Sequence, residues 1–387
     1  MAHATAMASP SHSDSQDTDA LLRLVLAGGR SAPRRQLLDY HGTPHAALAA
    51  GPNAWRASGC NTMQCTRLVA PDPNAMARIQ HWLATPYHHL LGWHDPDYPP
   101  LLRHVPSPPL ALFIAGNPIL LWHASIAIVG SRQPSAGGLD HSYGFAQALA
   151  ARGLGIISGM AAGIDATAHE AALSIPSGHT VAVLGTGPDV PYPARHKKLY
   201  ARITTDGAVI SEYPPGTQPR AGHFPQRNRI IAGLALGTLV IEAGARSGAL
   251  ITARLAAEAG RAVFAVPGSL HNPMTRGCHQ LIRQGATLVQ DIDQILEDVA
   301  TLAAPLAHTL RERLDAPSWP VAPSLSTPNS NDPKYHTLWQ ALAHDPMSMD
   351  SLIERTGLTA ATLSSMLLTL ELEGKVVVEH GRYTRTA

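Results

Sequence analysis

The stretch Gly222–Leu250 carries the side chains in this chain best suited to hold a polyanion. Its first part, HFPQRNR at 223–229, places two guanidiniums, an amide and an aromatic ring on what we interpret as a turn. The planar guanidinium donates hydrogen bonds in pairs to phosphate oxygens, and a flat aromatic ring can stack on a nucleobase. Further on, Ser247 and Gly248 open a predicted helix whose first N–H groups lie at the positive end of its dipole. The stretch therefore predicts a site for a polyanion that carries bases.

The elements that must position these groups alternate between strand and helix. Between the two parts of the stretch we predict an apolar helix over 230–237 and a buried strand that follows it. The predicted strands are Ser125–Val129, Leu154–Ser158, Thr180–Leu184, Ala208–Ser211, Thr238–Ile241, Ala262–Val266 and Ala286–Val289. The predicted helices between them are Gly138–Arg152, Asp165–Leu173, Arg195–Asp206, Ala249–Gly260 and Cys278–Gln284. Such alternation predicts an α/β fold with a doubly wound, mostly parallel sheet covered on both faces.

In such a sheet, ligands bind beyond the carboxyl ends of the strands, and this chain has a glycine-containing turn after five of them. The turns are Gly130-Ser131-Arg132, the run 159–165, Gly185-Thr186-Gly187, the run 244–248 and Pro267-Gly268-Ser269. Glycine permits close backbone approach, so several such turns at one edge offer a row of N–H donors. The segment 195–229 adds seven basic side chains against two carboxylates, although the formal net charge of the whole chain is only +1. We expect a local basic surface of the kind that nucleic-acid binders carry, with a solvated charged loop as the alternative.

Other chemistries are less well supported. No G-x-G-x-x-G opens the first helix and no P-loop is present, which argues against a dinucleotide-binding dehydrogenase and a P-loop enzyme. Asp165 and His169 share a helical face, but Asp165 also fits a helix N-cap. Glu242 at a strand end could act as the base of a nucleoside hydrolase or could be a structural carboxylate. His88, His89 and His94 lie in what we interpret as a Pro-rich connector, so we expect no metal and no cofactor.

The composition divides the chain into five segments. We predict a disordered tail over 1–19, a helical domain over 20–93, a Rossmann-like core over 94–300, a Pro/Ser-rich linker over 301–334 and a winged helix over 335–387. The helical domain resembles a helix-hairpin-helix or SAM-like module, which either contacts nucleic acid or serves as a plain docking unit. The chain has no apolar signal core and no run of about 18 apolar residues. We therefore expect a cytoplasmic protein without a membrane partner.

The predicted winged helix is acidic, with four basic side chains against six carboxylates. Its second helix, predicted over Thr359–Glu373, has no Arg, Lys, Asn or Gln to reach base edges or phosphates. We expect this segment to serve protein contacts or regulation, and the alternative of a duplex-DNA regulator is disfavoured.

Taken together, the motifs resemble the DNA-processing protein A family, also called DprA or Smf. The resemblance lies in IAIVGSR at 126–132, SGMAAGIDATAH at 158–169, VAVLGTG at 181–187, YPARH at 192–196, SEYPPG at 211–216, FPQRNRIIAGL at 224–234 and ARSGALITA at 245–253. It spans the core over about 100–300, and the helical domain and winged helix fit more loosely.

The resemblance implies a single-stranded DNA-binding recombination mediator that forms homodimers, protects single strands in natural transformation and helps to load the RecA recombinase, without catalytic turnover. The alternative is a Rossmann-type enzyme that hydrolyses nucleoside monophosphates. Many relatives carry a basic residue where this chain has Ala162, for which Arg195, Lys197 and Lys198 could compensate. The residues expected to contact DNA, from the resemblance and the turns together, are Gly130, Ser131, Arg132, Gly159, Gly163, Arg195, Lys197, Lys198, Phe224, Arg227, Asn228, Arg229, Arg246, Ser247 and Gly248.

Overall fold

A computed structural model of the chain describes residues 12–314 and, closer to the C-terminus, 338, 341–342, 347–358, 363, 366–367, 376–379 and 382–385. It divides into two compact units, Met1–Ala316 and Pro317–Ala387. Each unit has a hydrophobic core of its own.

The first unit begins with six helices: α1 His12–Leu26, α2 Ala32–His41, α3 Pro44–Ala49, α4 Gly51–Ala57, α5 Thr62–Val69 and α6 Pro73–Leu83. Helices α1–α5 pack around buried Leu24, Leu37 and Trp55, whereas Ile79 and Trp82 of α6 belong to a second core that includes Leu22 of α1. Helix α1 begins at His12, so the prediction of a disordered tail is wrong for 12–19, while 1–11 lie outside the described residues. The polar start of α1 is held because the Asp17 carboxylate accepts a hydrogen bond from the backbone N–H of His45 (2.8 Å) at the start of α3.

A nine-stranded sheet follows, in the order β1-β2-β6-β5-β4-β3-β7-β8-β9. Its strands are β1 His88–Gly92, β2 Ala111–Gly116, β3 Ser125–Gly130, β4 Gly155–Ser158, β5 Thr180–Val183, β6 Ala208–Ser211, β7 Gly237–Ile241, β8 Ala262–Ala265 and β9 Thr287–Leu288. Neighbours among β3–β9 pair in parallel, whereas β1 and β2 run antiparallel at one edge. The predicted fold class is confirmed. The interpretation of His88 and His89 as connector residues is wrong, because both belong to β1, which pairs with β2.

Helices cover both faces of this sheet. They are α7 Pro100–Arg103, α8 Ala136–Ala151, α9 Ile164–Ala172, α10 Lys197–Asp206, α11 His223–Leu234, α12 Gly248–Glu258, α13 Arg276–Arg283 and α14 Asp293–Leu314. Side chains alternate along β3, so Ala127 and Val129 join the core with α11 and α12. Ile126 and Ile128 point the other way and pack with α8 and α9. Because the strands β3–β9 run in parallel, their carboxyl ends lie at the same rim of the sheet.

Residues 223–229 form the first two turns of α11, so their interpretation as a turn is wrong. Pro225 is compatible with this position because the first N–H groups of a helix have no intrahelical partner. The helix ends at Leu234, before the predicted 237, since Gly237 already belongs to β7. The whole HFPQRNR segment is thus held on a rigid element.

In the second unit, β10 Met347–Ser348 precedes α15 Met349–Thr356, and β11 Val376–Glu379 with β12 Arg382–Arg385 forms an antiparallel hairpin. The three strands pair in the order β10-β12-β11. Leu338, Leu352 and Leu363 are buried in its core. Most of the predicted second helix over 359–373 lies outside the described residues.

Candidate functional site

A cleft of about 920 Å³ opens at the carboxyl ends of the parallel strands. Its walls come from the loop between β3 and α8, the first two turns of α11 and the loop between β7 and α12. Nine of the sequence-predicted residues line it: Gly130, Ser131, Arg132, Phe224, Arg227, Asn228, Arg246, Ser247 and Gly248. Segments more than 100 residues apart in the chain thus meet at one rim, as the topology of a doubly wound sheet requires.

Two guanidiniums on this rim have no carboxylate partner among the residues that the structure describes. Arg132 follows β3 and Arg246 follows β7, and both side chains are exposed. Within the described part of the chain neither forms a salt bridge or a side-chain hydrogen bond, whereas Arg23, Arg152, Arg229 and Arg254 are paired with carboxylates. Their full donor capacity is available to an anion in the cleft.

The N-terminus of α12 faces the same cleft. The Ser247 hydroxyl caps the helix by accepting a hydrogen bond from Ala249 N–H (3.2 Å), and Ser247 N–H donates to the Gly244 carbonyl (2.9 Å). Gly248 is exposed, and a Cβ built on it would meet no atom within 4 Å. The first turn of α12 therefore presents backbone N–H groups at the positive end of the helix dipole, and an anion can approach them closely.

Gly130, Ser131 and Gly163 shape the wall through their backbones. A Cβ on Gly130 would lie 1.9 Å from the Ile241 carbonyl oxygen, and one on Gly163 would lie 2.4 Å from the Ser131 carbonyl oxygen. The Ser131 hydroxyl accepts a hydrogen bond from Gln133 N–H (3.1 Å) and contacts the Met274 sulfur (3.6 Å). These two glycines allow the loops after β3 and β4 to pack closely and so fix the position of Arg132.

Phe224 and Asn228 are one turn apart on α11 and line the cleft together. The Phe224 ring lies close to the backbone of Gly185, where a Cβ would be 3.0 Å from its Cδ1 atom. The Asn228 Oδ1 atom accepts a hydrogen bond from Arg227 Nε (3.2 Å). Since Nε can only donate, this contact leaves the Asn228 NH2 group as a donor for an acceptor-bearing ligand.

Arg227, expected to contact DNA, lines the cleft, but only 4% of its surface is exposed and its guanidinium binds the protein. Its Nη1 atom donates to the carbonyl oxygens of Gly159 and Val183, at the ends of β4 and β5. Burial lowers the pKa of Arg227 to about 10, and the nearby Asp165 carboxylate opposes that shift. A Cβ on Gly159 would lie 2.5 Å from Arg227 Nη1, so this glycine is required for the approach of the guanidinium.

Arg229 is also committed to the protein. It forms a two-fold hydrogen-bonded ion pair with Glu212 (2.6 and 2.7 Å) and donates through Nε to the Ser107 carbonyl (2.8 Å). Burial opposes its charge, but Glu212 outweighs burial and raises the pKa of Arg229. Arg229 joins α11 to the end of β6 and does not line the cleft. Arg195, Lys197 and Lys198 are exposed at the start of α10 and likewise do not line it.

The carboxylates near the cleft are held by protein donors. The Glu242 side chain accepts hydrogen bonds from the N–H and hydroxyl of Ser135 and from the Asn272 amide (2.9 Å). Asp165 accepts from Gly159 N–H (3.2 Å), and burial raises its pKa. Both carboxylates brace loops of the rim. Among the described residues no group of three or more His, Cys, Asp or Glu could hold a metal ion.

His169 is fully buried and does not line the cleft. Its Nδ1 atom lies 2.7 Å from the Thr180 hydroxyl, which itself donates to the Ile156 carbonyl (2.7 Å). Because the single hydroxyl proton is already used, His169 Nδ1 must be the donor in the first contact. Burial lowers the pKa of His169 to about 3 and keeps the ring neutral.

Tyr192 and Met274 are among the cleft residues that the sequence did not predict to contact DNA. Tyr192 lines the cleft with 42% of its surface exposed, and its ring centroid lies 5.0 Å from that of Phe224. Met274 lies beside Ser131 in the opposite wall. Tyr192 was recognised only as part of the YPARH motif, and the position of an aromatic residue after the third parallel strand was the signal that could have indicated its place.

Known proteins resemble this chain over most of its length. The family model described as DNA recombination-mediator protein A matches residues 89–300, and the DprA winged helix domain matches residues 322–382. The chain is 38% identical over 331 residues to protein Smf of Escherichia coli strain K12, with 85% of each covered. It is 48% identical over 204 residues to DNA processing protein DprA of Streptococcus pneumoniae, covering 53% of this chain and 72% of the relative. The X-ray structure of DprA from Streptococcus pneumoniae superposes with a TM-score of 0.65 at 38% identity, covering 72% of this chain and 97% of that one.

In the described residues no helix combines the length and apolar character needed to cross a bilayer.

Proposed function

The chain belongs to the DNA recombination-mediator protein A family, as its motifs indicate, and on that premise we propose that it binds single-stranded DNA in the cleft. The observation that carries the proposal is that Arg132 and Arg246, which form no salt bridge within the described part of the chain, meet the N-terminus of α12 and the Phe224 ring in one cleft. Phosphates of the strand bind to the guanidiniums and to the N-terminus of α12, and an unpaired base stacks on the Phe224 ring.

Binding is expected to be independent of sequence. Phosphate contacts position a strand without reading it, and an aromatic ring accepts the face of any base. A base in a duplex would have to leave its pairing partner before it could stack on the Phe224 ring. The cleft is therefore expected to favour unpaired DNA. We also propose that the acidic winged helix over 335–387 contributes protein contacts rather than strand binding.

The function we propose involves no catalytic turnover. Glu242 is the carboxylate that a nucleoside hydrolase would need as its base, and its oxygens are occupied by Ser135 and Asn272. Incubation of the full chain with nucleoside monophosphates should release no free base. Base release that is lost in a Glu242→Gln variant would overturn this part of the proposal.

A recombination mediator has to deliver the strand that it holds. We propose that this protein acts as a homodimer in the cytoplasm, protects single strands taken up in natural transformation and helps RecA to assemble on them. The support is membership of a family described as recombination mediators. RecA-dependent strand exchange on DNA pre-coated with single-strand-binding protein should become faster when the chain is added, and an unchanged rate would refute the loading role.

The direct test of strand binding is a titration of labelled oligothymidylate and of a duplex of equal length at several salt concentrations. The proposal predicts preference for the single strand and a log K that falls linearly with log salt. Equal affinity for both, or preference for the duplex, would contradict it.

A further inference from the structure

An aromatic pair forms one side of the cleft, and the function proposed above uses only one of its rings. Phe224 and Tyr192 have ring centroids 5.0 Å apart at an interplanar angle of 39°, and both line the cleft. We propose that Tyr192 is a second base-stacking residue, against whose ring an unpaired nucleobase of the bound strand lies. This inference rests on the proposed binding of single-stranded DNA.

Tyr192 differs from the tyrosines that serve the fold. Tyr98 is 1% exposed and its hydroxyl donates to the Pro109 carbonyl. The hydroxyls of Tyr200 and Tyr213 also bond to the protein, at Pro188 and Gln226. Tyr192 is 42% exposed, and in the described part of the chain its hydroxyl forms no hydrogen bond. Much of its ring is therefore free to contact a ligand.

The backbone holds this ring in place. Tyr192 stands between Pro191, whose ring fixes its own φ, and Pro193, which restricts the backbone of Tyr192 as the preceding residue. After it, His196 N–H donates to the Pro193 carbonyl (2.9 Å), and His196 Nδ1 contacts the Met160 carbonyl (3.0 Å) in the loop after β4. A ring that is already positioned loses little freedom when a base stacks on it, which favours binding.

The kind of ligand follows from the aromatic side and the cationic side of the cleft taken together. Tyr192 follows β5, whereas the loops carrying Arg132 and Arg246 follow β3 and β7, two and three strands away in the sheet. Adjacent strands lie about 4.8 Å apart, so the aromatic and cationic sides are separated by roughly 10–15 Å. A free phosphate or a free base would satisfy only one side. A polynucleotide strand presents phosphates to one side and planar bases to the other.

The test compares two probes of equal length and charge: oligothymidylate, and an abasic deoxyribose-phosphate oligomer that has no bases to stack. Tyr192→Ala should weaken oligothymidylate binding by about 5- to 150-fold, the effect of losing one stacked base. Its affinity for the abasic oligomer should change less than about twofold. Tyr192→Phe should bind both probes like the unmodified protein, because the ring is kept and the hydroxyl has no described partner.

Tyr143→Ala is the matched control, since Tyr143 is 40% exposed on α8 and does not line the cleft. It should leave both affinities unchanged. If the unmodified chain binds oligothymidylate and Tyr192→Ala binds it equally well, the role of Tyr192 is refuted while the proposed function stands. An equal loss for both probes would also refute stacking. If the unmodified chain fails to bind oligothymidylate, the proposed function itself fails and this inference falls with it.

Discussion

The double substitution of Arg132 and Arg246 by Ala tests the cationic side of the cleft most directly. Both guanidiniums are exposed and make no salt bridge within the described residues, so their removal should leave the free energy of unfolding within about 0.5 kcal/mol. Under the proposed function, each guanidinium neutralises one phosphate of the bound strand. A protein that binds single strands loses about 0.7 in the slope of log K against log salt for each such contact removed. The double variant should therefore have a slope about 1.4 shallower than the unmodified chain.

This slope sets how the loss of affinity varies with salt. The double variant binds more weakly than the unmodified chain by some factor at 50 mM salt. A slope difference of about 1.4 makes that factor about sevenfold smaller at 200 mM salt. The assay is a fluorescence-anisotropy titration of labelled oligothymidylate at four or more salt concentrations. Each single variant should give about half the change in slope, because the two loops are separate and their phosphates distinct.

The control is Arg56→Ala, which removes an exposed arginine on α4 whose described side-chain contact is with Asn53. It should change neither the affinity nor the slope. The reasoning is refuted if the double variant binds more weakly at every salt concentration by the same factor. That result would mean that the two arginines support the shape of the site and do not contact phosphate.

Three further predictions test residues that hold the site. Arg229→Ala should cost about 2–3 kcal/mol of unfolding free energy, because Glu212 and the Ser107 carbonyl lose their donor. Urea denaturation measures this loss. An unchanged stability together with a shallower salt slope would indicate that Arg229 contacts DNA. Gly159→Ala should cost about 1–3 kcal/mol in the same assay, since the new methyl group displaces the Arg227 guanidinium, and a stability equal to that of the unmodified chain would contradict the close approach. His169 has a folded pKa of about 3 against an ordinary 6.5, so its contribution to stability is complete above pH 6.5 and is lost as the pH falls toward 3. Between pH 7 and pH 5 this amounts to about 2 kcal/mol, and His169→Asn should remove that part of the pH dependence; an identical pH profile would refute it.

The sequence by itself was sufficient for the parallel part of the fold. Buried parallel strands are short runs of β-branched residues bounded by turns, and Ala208–Ser211 was predicted with the bounds that the structure has. The rim of the sheet also followed from sequence, because strands that alternate with helices must end at one edge. The antiparallel strands β1 and β2 were missed. Their pairing depends on contact between segments flanked by prolines, which local pattern does not reveal.

Only the tertiary structure decided which arginines are free to bind. Arg132, Arg227 and Arg229 carry the same charge and all stand in motif segments. The Nη1 atom of Arg227 donates to carbonyls 68 and 44 residues away in the chain, and Arg229 reaches Ser107 across 122 residues. A guanidinium is available to phosphate only when folding has brought no other acceptor to it, and long-range packing determines that condition. Folding left Arg132 without such an acceptor among the described residues, and it placed Tyr192 beside Phe224.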